Sequence, residues 1–517
     1  MKKNISILLL ALFVPFFMQA QDLLDALRYS NIQVSGTARA GAMGNAFGAL
    51  GGDFTSISIN PAGLGVYRSS ELTVTPKFTY GKTEGNYMNT SMEDTKYNFA
   101  LNNLSYVTTI PTAATSEAGL ISINLGIGYN RLKDFNSNAL MGGSGVTSSF
   151  LDDLIENANG EDLNGAGWSD FYEELAYYNP NTESGADLIY YDDEAGLWRS
   201  DIQKNPFDQN IENYPVSQRK SISRSGSIDE YSFAVGLNFN HKVYLGATLG
   251  VTDIYYRESS TYEEWDQQGN IPNFVDMQFD SYLRTTGTGY NFKFGMIYKP
   301  VNEVRLGVAL HTPTFYDMHD FFHTAMYSRN DFDGTGVVDD SGFSPLNNYD
   351  YQLQTPLRAT FSGAFVIAKK GLISVDYEYV DYSTAKLRRG GDGYNFTSEN
   401  QEISDAYKSV GNIRVGGELR ATNNLSLRAG YEYYPTAYNS TSLGNDQFKS
   451  DDKLNIYSAG FGYHFGSFTF DLAYRLSQQQ EYELPYSAPS SGYYPVPEAA
   501  KFDGSTHDVL FTLGFKF

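Results

Sequence analysis

The sequence predicts an all-β fold, a fourteen-stranded antiparallel transmembrane β-barrel, and three observations lead to it. Apolar residues recur at every second position in many separate stretches, the number of such stretches is even, and the connections between them alternate between short and long. In SFTFDLAYRL, the side chains of Phe468, Phe470, Leu472, Tyr474 and Leu476 fall on one face, and those of Thr469, Asp471, Ala473 and Arg475 on the other. The same split sets Val304, Leu306, Val308 and Leu310 against Arg305 and His311, and Ile373, Val375, Tyr377 and Tyr379 against Asp376 and Glu378. A soluble sandwich alternates in the same way strand by strand, so the count and the connections separate the two architectures.

Strands are expected at about 71–80, 96–109, 119–132, 228–240, 243–264, 277–298, 303–327, 351–368, 371–388, 409–420, 425–438, 453–465, 468–483 and 505–517. Tight connections at Asn240-His241-Lys242, 299–302, Lys369-Lys370-Gly371, 421–424 and Gly466-Ser467 interleave with long polar ones, the pattern of short periplasmic turns and long external loops. Both chain ends are then periplasmic, in the outer membrane of a Gram-negative cell. Forty-one tyrosines and 34 phenylalanines, in a chain only 41% hydrophobic, suit a wall that is apolar on its outer face alone. The ending VLFTLGFKF places an aromatic at Phe517, which resembles the signal read by the barrel-assembly machinery.

The chain opens MKKNISILLLALFVPFFMQAQD, with two lysines, an apolar run from Ile5 to Met18 and Ala20 before Gln21, the layout of a cleavable signal peptide over residues 1–20. No later run approaches the ~18 apolar residues of a membrane helix. Cysteine is absent, which excludes disulfides, thiolate metal sites and a lipidated cysteine. A formal net charge of -23 argues against nucleic acid as a partner. No nucleophile elbow, catalytic triad or cofactor motif is present, so the chain is read as no enzyme.

Residues 21–70 form an arm rich in glycine and alanine before the first wall strand. Gly36, Ala40, Gly44, Gly48 and Gly52 recur every four residues, which on a helix makes a stripe poor in side chains and suited to close packing. A phosphate-cradling loop is disfavoured, because no strand precedes it and no Gly-Lys-Ser/Thr follows. Asn60-Pro61 also reads as a plain turn into strand one.

At these residues the chain resembles a family. Ser-Gly-x-x-Arg-Ala-x-x-x-Gly-x-Ala, Ser35 to Ala46 with Arg39, followed by Asn60-Pro61-Ala62 just ahead of the first strand, is similar to the FadL/TodX outer-membrane transporters of long-chain fatty acids and other hydrophobic compounds. The resemblance implies a lumen plugged by an N-terminal hatch at 21–70, with Asn60, Pro61 and Ala62 packed inside a barrel of residues 71–517. It also implies passive uptake and a sideways exit through a kinked third strand. Gly36, Arg39, Gly44, Gly48 and Asn60-Pro61-Ala62 are then the gating residues. In GLISINLGIGYNRL, Gly126 and Gly128 sit two apart on the inward face and mark either that kink or mere relief of crowding.

The connection at 134–227 is longer than the resemblance implies and carries 17 acidic and five basic residues. FLDDLIENA and FYEELAYY within it read as amphipathic helices, making the loop either a lid or ligand entrance, or a solvated cap. In RNDFDGTGVVDD, Asp331, Asp333 and Asp340 sit at several spacings of a calcium loop, but Arg329 occupies the place of the first carboxylate, so a plain hairpin tip competes. His319 and His323 would share one face of a helix, whereas in a strand that spacing spans ~13 Å. The leading functional reading is a monomeric, hatch-gated transporter of a fatty-acid-like ligand in contact with outer-membrane lipid. Alternatives are a surface-binding or haem-uptake receptor, and a non-transporting barrel that docks a secretion or surface-anchoring machine.

Overall fold

The computed structural model describes residues 23–112, 119–160, 167–179, 184–205, 208, 210–332, 334, 336–368, 370–439 and 452–517. The signal segment 1–20 lies outside them. Fourteen antiparallel wall strands close on themselves, the first pairing with the last from Glu71 opposite Lys516 to Asn86 opposite Lys501. In order they are Glu71–Tyr87, Thr90–Pro111, 120–146, Val216–Phe239, Val243–Trp265, Phe274–Tyr298, 304–330, 338–367, 371–388, Ser409–Arg420, Leu425–Tyr434, Leu454–Phe465, Phe468–Glu483 and Ala500–Lys516. The third, seventh, eighth and ninth are interrupted along their length. Breaks in the seventh and eighth fall at Pro313, Pro345 and Pro356, where the chain has no N–H to give the ladder.

The start of the first wall strand and the end of the last meet at one rim, where Ser70 and Phe517 exchange backbone N–H···O bonds of 3.1 Å. This terminal rim carries the short connections, including the turn at Asn240 and His241, with φ of 57° and 53°. At the opposite rim the expected polar link over 81–95 is absent. The first two strands instead run on to a turn at Met88 and Asn89, both with positive φ. The wall keeps pairing beyond its apolar band, so the charged residues Lys82 and Glu93, an ion pair across the two strands, belong to it.

The apolar band faces outward, as on the sixth strand, where Tyr290, Phe292, Phe294, Met296 and Tyr298 are 41–54% exposed. Inward positions are charged and buried: Glu378 joins Arg358 (3.0 Å) and Arg414 (3.3 Å), and Arg475 joins Glu432 (2.9 Å). Such pairs need their remaining donors and acceptors met. Many are met by the segment from residue 34 to 66, which occupies the lumen.

The first helix, Leu23–Ser30, also lies inside the barrel, burying Ala26 and Tyr29 in a core with Ile228, Ile254, Tyr316 and Tyr351 of the wall. Over the opposite rim, helix Phe150–Gly160 buries Phe150, Leu151, Leu154 and Ile155 against Tyr262, Met277, Phe279 and Phe502. Its N-terminus is anchored by Glu264, which accepts from the Phe150 amide (2.8 Å) and the Ser149 hydroxyl (2.7 Å). The second expected helix shrinks to the single turn Glu173–Ala176, because the Leu175 and Ala176 carbonyls accept instead from the Ala186 and Leu188 amides.

Candidate functional site

The hatch is only briefly helical. Thr37 caps helix Ala38–Ala42, and two 3-10 turns follow at Phe54–Ser58 and Pro61–Val66. Gly36, Gly44 and Gly52 have φ of +59°, +56° and +68°, so the four-residue glycine spacing is not a helical stripe, which corrects the sequence expectation. The small residues instead let hatch backbone lie directly on wall backbone. A Cβ on Gly44 would stand 2.8 Å from the Tyr431 nitrogen and 3.0 Å from the Val415 oxygen, and one on wall residue Gly430 would overlap the Gly44 amide. Gly48 likewise faces wall Gly307, and Gly65 faces wall Gly236.

Polar anchors complete the seating. The Arg39 guanidinium reaches Glu418 (3.3 Å) and the Gly52 carbonyl (3.1 Å), with its plane over the Phe47 ring. The Gly48 amide donates to Asp376 (2.9 Å), the Asn45 amide to Glu432 (3.1 Å) and the Ser58 hydroxyl to Glu230 (2.8 Å). Asn60 caps its own turn by accepting from the Ala62 amide (3.1 Å), while its side-chain nitrogen donates to the Gly48 carbonyl (2.6 Å) and, on the wall, to the Met296 carbonyl (3.2 Å). Pro61 needs no donor at the first position of that turn, and Ala62 is fully buried. Wall residues Gly246 and Gly295 have no side chains where Pro61 and Asn60 press in.

Gly126 and Gly128 are not the bend. The third strand is paired there on both sides, with Val107 and Ala234 beside Gly126, and Ser105 and Ser232 beside Gly128. The two glycines make room for the hatch side chains Leu64 and Phe54. The bend lies further on, at Asp134-Phe135-Asn136, where the Asp134 carboxylate accepts from the Asn136 amide (3.0 Å). Phe135 thereby turns into the lumen, edge-on to Tyr29 and Tyr256.

Beyond Asn130 the third strand no longer pairs with the second, although it stays paired with the fourth up to Val146. Residues 90–102 of the second strand therefore have no ladder partner on that side among the described residues. Segment Ser137–Val146 passes inside the hairpin of the first two strands, packing Ala139 and Met141 with Tyr87 and Phe502. A seam results, crossed by side chains only. Lys96 donates to the Arg224 carbonyl (2.6 Å) and Asn98 to Asp134 (3.3 Å).

Next to the seam lies a chamber of about 530 Å³. Leu24, Leu27, Phe135 and Ile456 supply apolar lining, and Lys77, Arg131, Lys133 and Glu258 are among the charged groups. Lys77 pairs with Asp134 (3.2 Å) and Arg131 with Asp229 (3.0 Å). Lys133 differs: its ammonium donates to the Arg28 carbonyl (2.8 Å) and lies over the Phe135 ring, with no carboxylate in reach among the described residues. Sequence reasoning singled out none of Lys96, Lys133, Asp134 or Phe135; the Asx-turn pattern Asp-Phe-Asn was the one local signal.

Other constellations do not assemble. Asp333 lies outside the described residues. Asp331 accepts weakly from the Gly336 amide (3.4 Å), Asp340 stands opposite Ser328 in a ladder, and Arg329 pairs with Asp276 (3.0 Å). Among the described residues no group of His, Cys, Asp and Glu is placed to hold a metal ion. His319 and His323 sit on the outward face of the seventh strand, His319 bonded to Asp350 (2.7 Å) and His323 stacked on Tyr282.

Residues 227–517 match the family of outer membrane transport proteins described as OMPP1/FadL/TodX. Among solved structures, a FadL homologue of Pseudomonas aeruginosa shares the fold at 12% identity, with 94% of this chain and 99% of that one covered and a TM-score of 0.52. A TodX monoaromatic hydrocarbon channel mutant does so at 11% identity, with coverage of 94% and 99% and a TM-score of 0.50. The toluene transporter TodX of P. putida matches at 12% identity, coverage of 93% and 98%, and a TM-score of 0.49. No curated protein matches by sequence. The matched family consists of transport proteins of the outer membrane, not enzymes. By this match over more than half its length, with a closed fourteen-stranded barrel and a hatch in its lumen, the chain belongs to the OMPP1/FadL/TodX family of outer membrane transport proteins.

Proposed function

We propose that the protein takes up an anionic amphiphile, a long-chain fatty acid or close analogue, and releases it sideways through the seam between the second and third strands. The seam is the observation that carries this reading. It opens beside Phe99 and Leu101, which face outward at 62% and 40% exposure, so a ligand leaving there meets hydrocarbon and not water. Each CH₂ kept out of water is worth ~0.8 kcal/mol, which makes a lateral route far less costly than an aqueous one for a long chain. The chamber's charge favours a ligand with a head group over a bare hydrocarbon. Lys133, with no carboxylate in ion-pair reach among the described residues, is placed to meet that of a ligand.

In this reading the terminal rim faces the periplasm, residues 21–70 act as the gate, and Gly36, Arg39, Gly44, Gly48 and Asn60-Pro61-Ala62 hold it closed. The protein works as a monomer, inserted by the barrel-assembly machinery through the strand ending at Phe517. The folded acidic cap over the opposite rim, with its apolar side chains packed inward, favours a second reading, a barrel that docks other machinery without transport. Mass spectrometry of lipid retained on purification separates them. Fatty acid that disappears in Lys133→Glu supports uptake; protein free of any amphiphile, with no fatty-acid uptake in reconstituted membranes, supports docking.

A further inference from the structure

On the outer face of the wall, Arg257 of the fifth strand stands directly opposite Arg284 of the sixth. Like charges so placed repel, at a Cα separation of roughly 5 Å. Neither has a carboxylate within ion-pair distance among the described residues: Arg257 bonds the Ser225 hydroxyl (3.2 Å), and Arg284 lies over the Phe321 ring. Their outward neighbours one step along the same strands are Tyr255, Ser259, Tyr282 and Thr286, all hydroxyl-bearing and none acidic. The nearest outward acids on these strands, Asp253 and Asp280, are four residues away in opposite directions, ~13 Å each. On the seventh strand His319 and His323 stand opposite Thr286 and Tyr282, which brings both imidazoles to this patch. The Asp350 carboxylate at the edge of the patch is bonded to His319 (2.7 Å) and to neither arginine, so in a chain of net charge -23 two facing guanidiniums without a carboxylate in ion-pair reach among the described residues make an anion site.

We propose that Arg257 and Arg284 bind a phosphate on the saccharide headgroup of a membrane glycolipid in the leaflet on this side of the barrel. The pair points away from the lumen and stands six residues along the sixth strand from Tyr290, the start of the apolar band, or ~15 Å at a usual strand tilt. A sugar phosphate tethered to acyl chains in the bilayer reaches that height. The protein's overall negative charge repels a soluble anion, whereas a tethered one is held at high effective concentration. The leaflet assignment rests on the orientation proposed above; the site itself does not.

The test is native mass spectrometry of the full chain in detergent with deep-rough lipopolysaccharide, the same lipid after phosphate removal, and inorganic phosphate. The parent is expected to retain one phosphorylated glycolipid, and Arg257→Gln/Arg284→Gln and the dephosphorylated lipid each to lower retention at least tenfold. Arg257→Lys/Arg284→Lys is expected to keep most of it. Equal retention by the glutamine pair, or of the dephosphorylated lipid, overturns the site. Full displacement by millimolar inorganic phosphate makes the occupant free phosphate and overturns the headgroup. Without glycolipid the glutamine pair, relieved of repulsion, is expected to melt no lower than the parent; a lower melting temperature makes the arginines structural and overturns the proposal.

Discussion

The side-chain nitrogen of Asn60 donates to the main-chain carbonyl of Met296 across 3.2 Å, tying the end of the hatch to the sixth wall strand. The same nitrogen holds the Gly48 carbonyl, so one residue fixes two turns of the hatch and the wall together. In Asn60→Ala both carbonyls lose that donor in a buried site, at a cost of ~1–3 kcal/mol. Limited proteolysis should cut the arm faster at unchanged barrel content. An unchanged cutting rate would reduce Asn60 to a simple turn former.

Glycine against glycine is the seating principle, and it is testable from either side. Gly44→Leu and Gly430→Val should each displace the hatch, because each adds side-chain atoms where the partner backbone already lies, at ~1–3 kcal/mol or more. The two are expected to be non-additive, since either alone empties the contact. Additive losses in arm protection would contradict a shared contact.

Gly126→Val and Gly128→Val address the hatch too, and not the exit. Leu64 sits 3.2 Å and Phe54 2.5 Å from where those Cβ atoms would stand. The double variant should therefore expose the arm to protease while the ladders of the third strand, followed by hydrogen exchange, stay protected. Loss of ladder protection with an unchanged arm would return the bend to these glycines.

The alternation in SFTFDLAYRL and its counterparts made the barrel legible, because lipid and lumen impose opposite chemistry on successive residues. Where the wall leaves the bilayer that contrast disappears, which hid the Met88-Asn89 turn and the paired stretch after residue 80. Segment Ser137–Val146 read as loop because it pairs on one side and carries Gly142, Gly143 and Gly145. The hatch glycines were visible, but their reason was not. Gly236, Gly307 and Gly430 lie far away in the chain, and only the fold brings them beneath Gly65, Gly48 and Gly44.

Burial pushes the Asp152 carboxyl in the cap up to about 8, against the opposing pull of its bonds from Asn213 and the Ser149 amide. Burial and the nearby Glu173 push Asp153 up to about 6. A carboxyl whose folded value is raised favours the cap while protonated. That stability is complete below the ordinary value near 3.8 and falls as pH rises, until Asp152 ionises near pH 8. One such group contributes at most ~1.4 kcal/mol per pH unit. Hydrogen exchange over 150–160 should thus quicken from pH 6 to pH 9 beyond its intrinsic rise. Asp152→Asn should flatten that dependence, and an unflattened one would place the titration elsewhere.

Passage through the seam is open to a direct test, because the chain has no cysteine of its own. Asn98 and Asp134 touch across it at 3.3 Å, and Lys77 keeps Asp508 as a second partner at 3.8 Å when Asp134 is replaced. In Asn98→Cys/Asp134→Cys, oxidation should stitch the second strand to the third. Uptake of a labelled long-chain fatty acid by cells or proteoliposomes should fall at least tenfold when the bond forms and recover on reduction. Uptake at the parent rate by fully cross-linked protein would contradict lateral exit.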